Sequence, residues 1–399
     1  MEAVMDNRVY IVHCPNYDQI EEKMDELISM MGGMNQFVLP NEKIVLKVNL
    51  LQPAKPEKAV TTHPGVVAAM ARMAKKERAF PVIADSPGTG YRYNEKMLDK
   101  LYRTCGMYEA AQTAGAELNF DTSYGPVSFP QGKLIKHFDV ITPVIAADGV
   151  LNVCKLKTHI LMGITGAVKN NFGVIPGLAK PGYHAKLHEK HHFAEMLLDL
   201  AEYVSPRLSI MDAVTGMEGD GPGAAGTPRQ IGLLLGATNP LALDVVASEI
   251  IGLRPEQNPL LIAAAKRGLV PAGVGEVEVI GAEISKIRAS DYKLPATVEG
   301  AGFGSHLNWW QRPLEPYFKD WLSQAPRVVR KKCVACGVCL DSCPMNAITL
   351  AASKPKYARI DDKECIRCYC CHELCPDGAI ELRQGLMHRL LGIGAEKNR

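Results

Sequence analysis

The 399-residue chain predicts two unlike folds in series. Residues 1–300 read as an α/β domain, a largely parallel sheet with flanking helices, and residues 328–384 as a small α+β domain organised by cysteines. Two observations carry this. Up to about residue 300, short β-rich runs alternate with amphipathic helical stretches, the pattern of strands joined by crossover helices. Beyond that point stand two matching cysteine runs, Cys333-x2-Cys336-x2-Cys339-x3-Cys343-Pro344 and Cys365-x2-Cys368-x2-Cys371-x3-Cys375-Pro376. Residues 301–327 form a linker that holds all three tryptophans, Trp309, Trp310 and Trp321, and residues 385–399 a short basic tail.

Val9–Val12 is the first expected strand, followed by Ile20, Met24, Leu27, Ile28 and Met31 at helical spacing with charges between them. Ile44–Val48 is the next strand. Thr62-His63-Pro64 supplies an N-cap and first turn for a helix through Met73. Further strands are expected at Pro81–Ala84, Val150–Val153, Leu208–Met211, Ile231–Leu235 and Val277–Ile280, with a helix over Phe193–Leu200. The tryptophans of the linker are expected to clamp one domain onto the other; attachment to a membrane surface is the alternative, weakened by the lack of a basic face.

Three cysteines at i, i+3 and i+6 let one short loop wrap three corners of an iron-sulfur cubane, and the fourth, followed by proline, points away. The runs therefore predict two 4Fe-4S clusters and a dicluster ferredoxin domain. In two-cluster ferredoxins of the bacterial type the fourth cysteine ligates the other cluster. One set is then Cys333, Cys336, Cys339 and Cys375; the other is Cys365, Cys368, Cys371 and Cys343. A structural zinc site explains neither the third cysteine of each run nor the Cys-Pro pairs. Cys370, between two ligands, is expected to pack without ligating, a spare ligand being the alternative.

A net charge of +2 provides no electrostatic footprint for nucleic acid. No apolar run approaches the roughly 18 residues of a membrane span. The opening MEAVMDNRVYIV lacks the features of a signal peptide, so a cytoplasmic, reducing setting is expected rather than disulfides. Oxygen-sensitive clusters suit anaerobic metabolism.

In open parallel sheets, ligands gather beyond the carboxyl ends of the strands. Four expected strand ends carry charge: Lys47 with Asn49, Asp85, Lys155-Leu-Lys157-Thr-His159, and Asp212. A shared pocket is therefore expected. The glycine-bearing segment Thr165–Gly173, with Lys169, has the make-up of a loop that offers backbone N–H groups and a cation to a carboxylate or phosphate. Met217–Gly226 reads either as a flexible loop closing over a ligand or as a plain turn. His184 and His188, at i and i+4, would share a helix face; a solvated pocket rim is the expected reading for His184–His192, and a metal site the alternative. His63 and His159 stand at expected loop or helix starts.

These segments also carry a resemblance. Lys155-Leu-Lys-Thr-His159, Thr165-Gly-Ala-Val-Lys-Asn170, Ile210-Met-Asp212 and Met217-Glu-Gly-Asp-Gly-Pro222 resemble the recurring features of DUF362, a family defined as a domain of unknown function and here fused to a two-cluster ferredoxin. The resemblance implies iron-sulfur cluster binding and no particular reaction. Asp85-Ser-Pro-Gly-Thr-Gly90 lacks the spacing of a dinucleotide fingerprint, and an additional flavin is left open.

The expected function is a ferredoxin-linked oxidoreductase that exchanges electrons with a donor or acceptor protein and passes them to a small anionic substrate or an unidentified cofactor in the α/β pocket. Lys47, Lys155, Lys157 and Lys169 would hold the negative charge, His159 or His184 would supply protons, and Asp85 and Asp212 would orient partners. The alternative is a non-catalytic electron carrier whose lysines form a docking surface. A third reading is a non-redox enzyme with structural clusters.

Overall fold

A computed structural model of the chain describes residues 6–269, 274–299, 324–352 and 355–383. The expected tryptophans of the linker and the basic tail lie outside the described residues. The sequence alternates as expected through β1 (Arg8–His13), α1 (Ile20–Met30), β2 (Lys43–Lys47), α2 (Pro64–Lys76), β3 (Phe80–Ala84), α3 (Glu95–Thr104), α4 (Met107–Ala114) and β4 (Glu117–Leu118). A surface hairpin, β5 (Tyr124–Ser128) and β6 (His137–Ile141), leads through the short α5 (Thr142–Ile145) to β7 (Gly149–His159) and β8 (Gly163–Ile164). Then come α6 (Gly166–Asn170), α7 (Lys180–Lys186), α8 (Lys190–Val204), β9 (Leu208–Gly219), β10 (Gly226–Ala237), α9 (Pro240–Ile250), α10 (Pro259–Lys266) and β11 (Glu278–Ile280).

The strands form one sheet in the order β11-β1-β10-β9-β7-β2-β3-β4, with β8 paired to β7. From β9 to β4 the pairing is parallel throughout, and β10 runs antiparallel to both of its neighbours. Alternation along the strands feeds two cores. Ile44 and Leu46 of β2 face α1–α4, while Val45 faces the layer of α6, α8 and α9. The α2 start is as read: His63 is the N-cap, its Nδ1 accepts from Gly65 N at 3.1 Å, and Pro64 opens the helix.

Two strands outrun expectation. β7 continues to His159 with every residue from Val150 onward buried, and β9 continues to Gly219, so Lys155–His159 and Met217–Gly219 lie within strands rather than in loops beyond them. The lysines break the apolar run that marks a strand in sequence; in the fold they are enclosed because a second module covers the strand ends.

That module pairs β12 (Ala325–Val328) with β15 (Ile380–Arg383), and β13 (Ile348–Leu350) with β14 (Ala358–Ile360). Its two halves repeat in backbone conformation. Ala335 and Arg367, Gly337 and Tyr369, and Asn346 and Gly378 all have positive φ, and each pair is separated by 32 residues, the spacing from Cys333 to Cys365.

The module meets the α/β domain at positions where no side chain would fit. A Cβ on Gly223 would lie 1.9 Å from Glu373 O, one on Gly90 2.6 Å from Ser342 Cβ, and one on Gly88 2.6 Å from Leu374 Cδ2. The turn between β9 and β10, which contains Gly223, and the Asp85–Gly90 segment thus serve as docking surfaces for the cysteine-rich module. His372 ties the two parts together, its Nε2 3.0 Å from Asp220 O and its Nδ1 2.6 Å from Ile380 O. Gly223→Ala is expected to loosen this contact at a cost of about 1–3 kcal/mol. Hydrogen exchange over Cys370–Leu374 measures it, and unchanged protection would show that the close approach is dispensable.

Candidate functional site

The cysteines of the module come together as the crossed assignment requires. Cys343, Cys365, Cys368 and Cys371 line a single hollow floored by Ile348, Ile360 and Pro326. In the other set, burial and the neighbouring Cys336, Cys375 and Cys333 push the Cys339 thiol up to about 12. Thiols that raise one another's pKa in this way fit a group whose positive metal core relieves the repulsion. Backbone N–H groups of Ala347 and Ala379 donate to Cys343 Sγ at 3.3 Å and Cys375 Sγ at 3.1 Å, two more positions 32 residues apart. The residues present fit two 4Fe-4S clusters. Cys370 is fully buried on the wall of the Cys343–Cys371 hollow, and its neighbour Cys368, with burial, keeps it a thiol.

Beyond the ends of β2, β3 and β7 lies a pocket of about 50 Å3. Lys47, Asp85, Lys157, Lys169, Lys180 and His184 line it from the α/β domain, with Glu373 entering from the cysteine-rich module. Lys47 Nζ pairs with Asp85 Oδ1 at 2.9 Å. Asp85 also accepts from Leu50 N at 2.6 Å and Ser86 N at 2.9 Å. Gly173 makes room for this pair, since a Cβ there would lie 2.0 Å from Asp85 Oδ1.

Among the described residues Lys157 has no carboxylate partner within hydrogen-bonding distance; it donates to Asn49 Oδ1 at 2.7 Å and Val60 O at 2.6 Å. Behind it runs a chain of amides, each donating to the next: Asn49 to Asn170 at 2.8 Å, Asn170 to Asn152 at 2.7 Å, and Asn152 to Ala167 O at 2.9 Å. Successive bonds of one polarity reinforce one another and fix every amide's orientation. Lys180 likewise meets only neutral oxygens, Ser86 O at 2.9 Å and Pro87 O at 2.6 Å. Burial lowers its pKa to about 7, with Asp85 opposing and Lys47 and Lys169 adding to the shift. Burial, reinforced by Lys169, also lowers Lys157.

His159 is buried beside the pocket. Its Nδ1 accepts from Leu161 N at 3.0 Å, which places the proton of the neutral ring on Nε2, 3.2 Å from Glu373 Oε1. That pair is close without the alignment of a hydrogen bond. Burial, then Lys169, lowers His159, and burial with Lys169 and Lys180 lowers His184 to about 3. Burial raises Glu373 to about 7 despite Lys169 and Lys157. Burial thus lowers both imidazoles that the sequence singled out, and Glu373 and Lys180, each brought to about 7, share the pocket with His184.

Several expected residues belong elsewhere. Lys155 bonds Asp212 at 2.7 Å and Tyr17 Oη at 3.1 Å, and Tyr17 stacks on His63 at 3.5 Å, a closed cluster away from the pocket. The cause is a register shift: Lys155 pairs with Asp212, but Lys157 pairs with Met217, so β9 bulges between them. Asp212 therefore orients nothing in the pocket, and Lys155 holds no guest there. The N–H groups at the start of α6 already have an anion, since Ala167 N and Val168 N donate to Asp244 at 2.5 and 3.0 Å. Helix α7 ends at Lys186, so His184 and His188 do not share a face; His184 stacks on Phe193 at 4.5 Å, while His188 is exposed. Lys180 and Glu373 were missed. Lys180 sits in a stretch rich in proline and glycine, Pro176-Gly-Leu-Ala-Lys180-Pro-Gly182, that reads as a plain turn, and Glu373 is hidden between two cysteines.

No helix among the described residues is long and apolar enough to cross a membrane. In comparisons with known proteins, the chain is 30% identical over 285 residues to a thylakoid-associated protein of Synechocystis sp., covering 70% of this chain and 84% of that one. Among solved structures it is similar to the lactate racemase apoprotein of Thermoanaerobacterium thermosaccharolyticum at 11% identity and a TM-score of 0.33, over 52% of this chain and half of that one, too slight a likeness to carry an argument. Residues 332–379 match the 4Fe-4S dicluster domain. Residues 44–249, which contain every lining residue of the pocket but Glu373, match the domain of unknown function DUF362, and the chain belongs to that family.

Proposed function

We propose that the protein is a ferredoxin-linked oxidoreductase that takes electrons from a donor protein and delivers them to a small anionic substrate in the lysine-lined pocket. The observation that carries this reading is Glu373, which stands two residues from both Cys371 and Cys375 and lines the same space as Lys157, Lys169 and Lys180. No separate carrier has to bridge the two parts. When bound, a pair of 4Fe-4S clusters supplies electrons one at a time.

The chain's own residues do the rest. Cys336 is exposed and Val334 beside it is 65% exposed, which suits contact with an electron donor on that side. Cys371 is buried near the pocket, which suits delivery inward. Lys157 and Lys180 would hold the substrate's charge, and the amide chain behind Lys157 would keep its ammonium aimed. Glu373 and Lys180 would pass protons to the reduced product. The alternative of an electron carrier docking through its lysines loses its contact surface, because Lys47, Lys155 and Lys157 are at most 1% exposed.

Lys157→Ala is expected to abolish re-oxidation of the chemically reduced protein by small acids while iron and sulfide content stay unchanged. Stopped-flow absorbance under anaerobic conditions reads the rate, and an undiminished rate would remove Lys157 from the site. A pH dependence follows from Lys180, which faces Asp85, Lys47, Lys169 and His184. Its pKa of about 7 lies below the ordinary 10.5, so the cation is full below pH 7 and lost above it. Anion affinity should fall as pH rises through about 7, by at least about tenfold per unit above it, because Lys180 loses its positive charge and Glu373, in the same pocket and raised to about 7, gains its negative one; titration calorimetry between pH 6 and 9 checks this, and a flat profile would show that Lys180 does not hold the anion.

A further inference from the structure

The pocket's charges do not balance. Four ammonium groups line it, those of Lys47, Lys157, Lys169 and Lys180, against two carboxylates, Asp85 and Glu373. Asp85 is taken by Lys47. Glu373 lies within the field of Lys169 and Lys157 without an ion pair to either, and His184 is stacked on Phe193 as an apolar wall. Among the described residues, Lys157 and Lys180 have amide, carbonyl and hydroxyl oxygens within reach and no carboxylate. A buried cation without counter-charge costs several kcal/mol and shifts toward the neutral amine, as burial does to Lys157 and Lys180; a guest with two negative charges would supply the two missing partners and hold both ammonium groups protonated. Thr165 Oγ1 and Glu373 Oε1 are buried in the same lining without a hydrogen-bond partner, which leaves a donor and an acceptor for the guest's remaining valences.

Size narrows the class. A space of about 50 Å3 holds only a few water-sized groups. The fused rings of a flavin, or a nucleotide, would extend out of that space.

We propose that the pocket binds a compact oxyanion carrying two negative charges, with roughly five or six non-hydrogen atoms, held between Lys157 and Lys180 and hydrogen-bonded by Thr165. The proposal rests on the reading of this pocket as the substrate site, and it concerns binding alone. Asn49 and Asn170 hold Lys157 from behind, while Ser86 and Pro87 hold Lys180 from the other wall, so the two ammonium groups are positioned before the guest arrives. Glu373 closes the side nearest the cysteines and disfavours guests that bring more negative charge than the excess.

The test is titration calorimetry on the anaerobically purified, cluster-loaded protein, oxidised and without any electron donor, at pH 6.5 and low salt. The probes are sulfate and oxalate as dianions, formate and acetate as monoanions, and flavin mononucleotide. The proposal expects sulfate or oxalate to bind at least about tenfold more tightly than either monoanion, with no competition from flavin mononucleotide. Lys180→Met and Lys157→Met should each weaken the dianion by about ten- to a hundredfold, with iron content and the cluster absorption retained. Thr165→Val, which removes no charge, should weaken it less and serves if a lysine variant fails to fold. Equal affinity for monoanions, no binding of either dianion, unchanged affinity in the variants, or displacement by flavin mononucleotide would each overturn the proposal. Dianion binding without any transfer of electrons to a bound guest would leave this proposal standing and remove the oxidoreductase reading instead.

Discussion

An ammonium group inside a protein needs an answering charge or a set of well-placed oxygens, and that constraint organises the whole carboxyl end of this sheet. Lys47 and Lys155 are each answered by a carboxylate from the next strand or loop, Asp85 and Asp212. Lys157 and Lys180 are answered only by neutral oxygens. The first pair behaves as structure and closes on itself. The second pair is held in position but left electrically incomplete, and the elements around it follow from that: the chain of asparagines, the glycine at 173 that spares the Lys47–Asp85 contact, and the glutamate brought in from the other module.

Much of this was legible in the sequence, and the reasons for what was not are physical. The α/β class, the early helices and strands and the cysteine sets follow from periodicity and ligand spacing, both of which are local properties of the chain. Lys47, Lys157, Lys169, Asp85 and His184 were legible as pocket residues because charge at several strand ends is a regional property. The separation of Lys155 from Lys157 was not, because a bulge in β9 decides it and nothing in β7 records that bulge. The glycine-rich segments at 85–90 and 217–226 look alike whether their open backbone faces a ligand or another part of the protein. Here the other part is Glu373, Leu374 and Ser342.

The start of α6 shows the same ambiguity from another side. Its free N–H groups read as an anion site, and they are one, but the anion is Asp244 from α9. Burial raises Asp244 to about 7 even with those two donors. A helix end therefore reveals that a negative group is wanted without revealing whether the chain itself supplies it. The histidines illustrate the converse: burial and neighbouring ammonium groups disfavour protonation of an imidazole whose residue type suggests proton transfer near neutrality, whereas burial favours the protonated form of the glutamate beside them.

The contact of Gly223 with the backbone of Glu373 has a consequence for how the protein is assembled in the cell. The one-turn helix Cys370–Glu373 stands between the cysteines expected to hold the clusters, and its last residue, Glu373, lines the pocket. If the clusters order that turn, metal loading would also set one wall of the pocket, and loss of a cluster would loosen it. The ferredoxin module is not an interchangeable cartridge: a replacement with perfect cysteines but without a glutamate at this position would carry electrons to a chamber with its charge altered and one side unfinished.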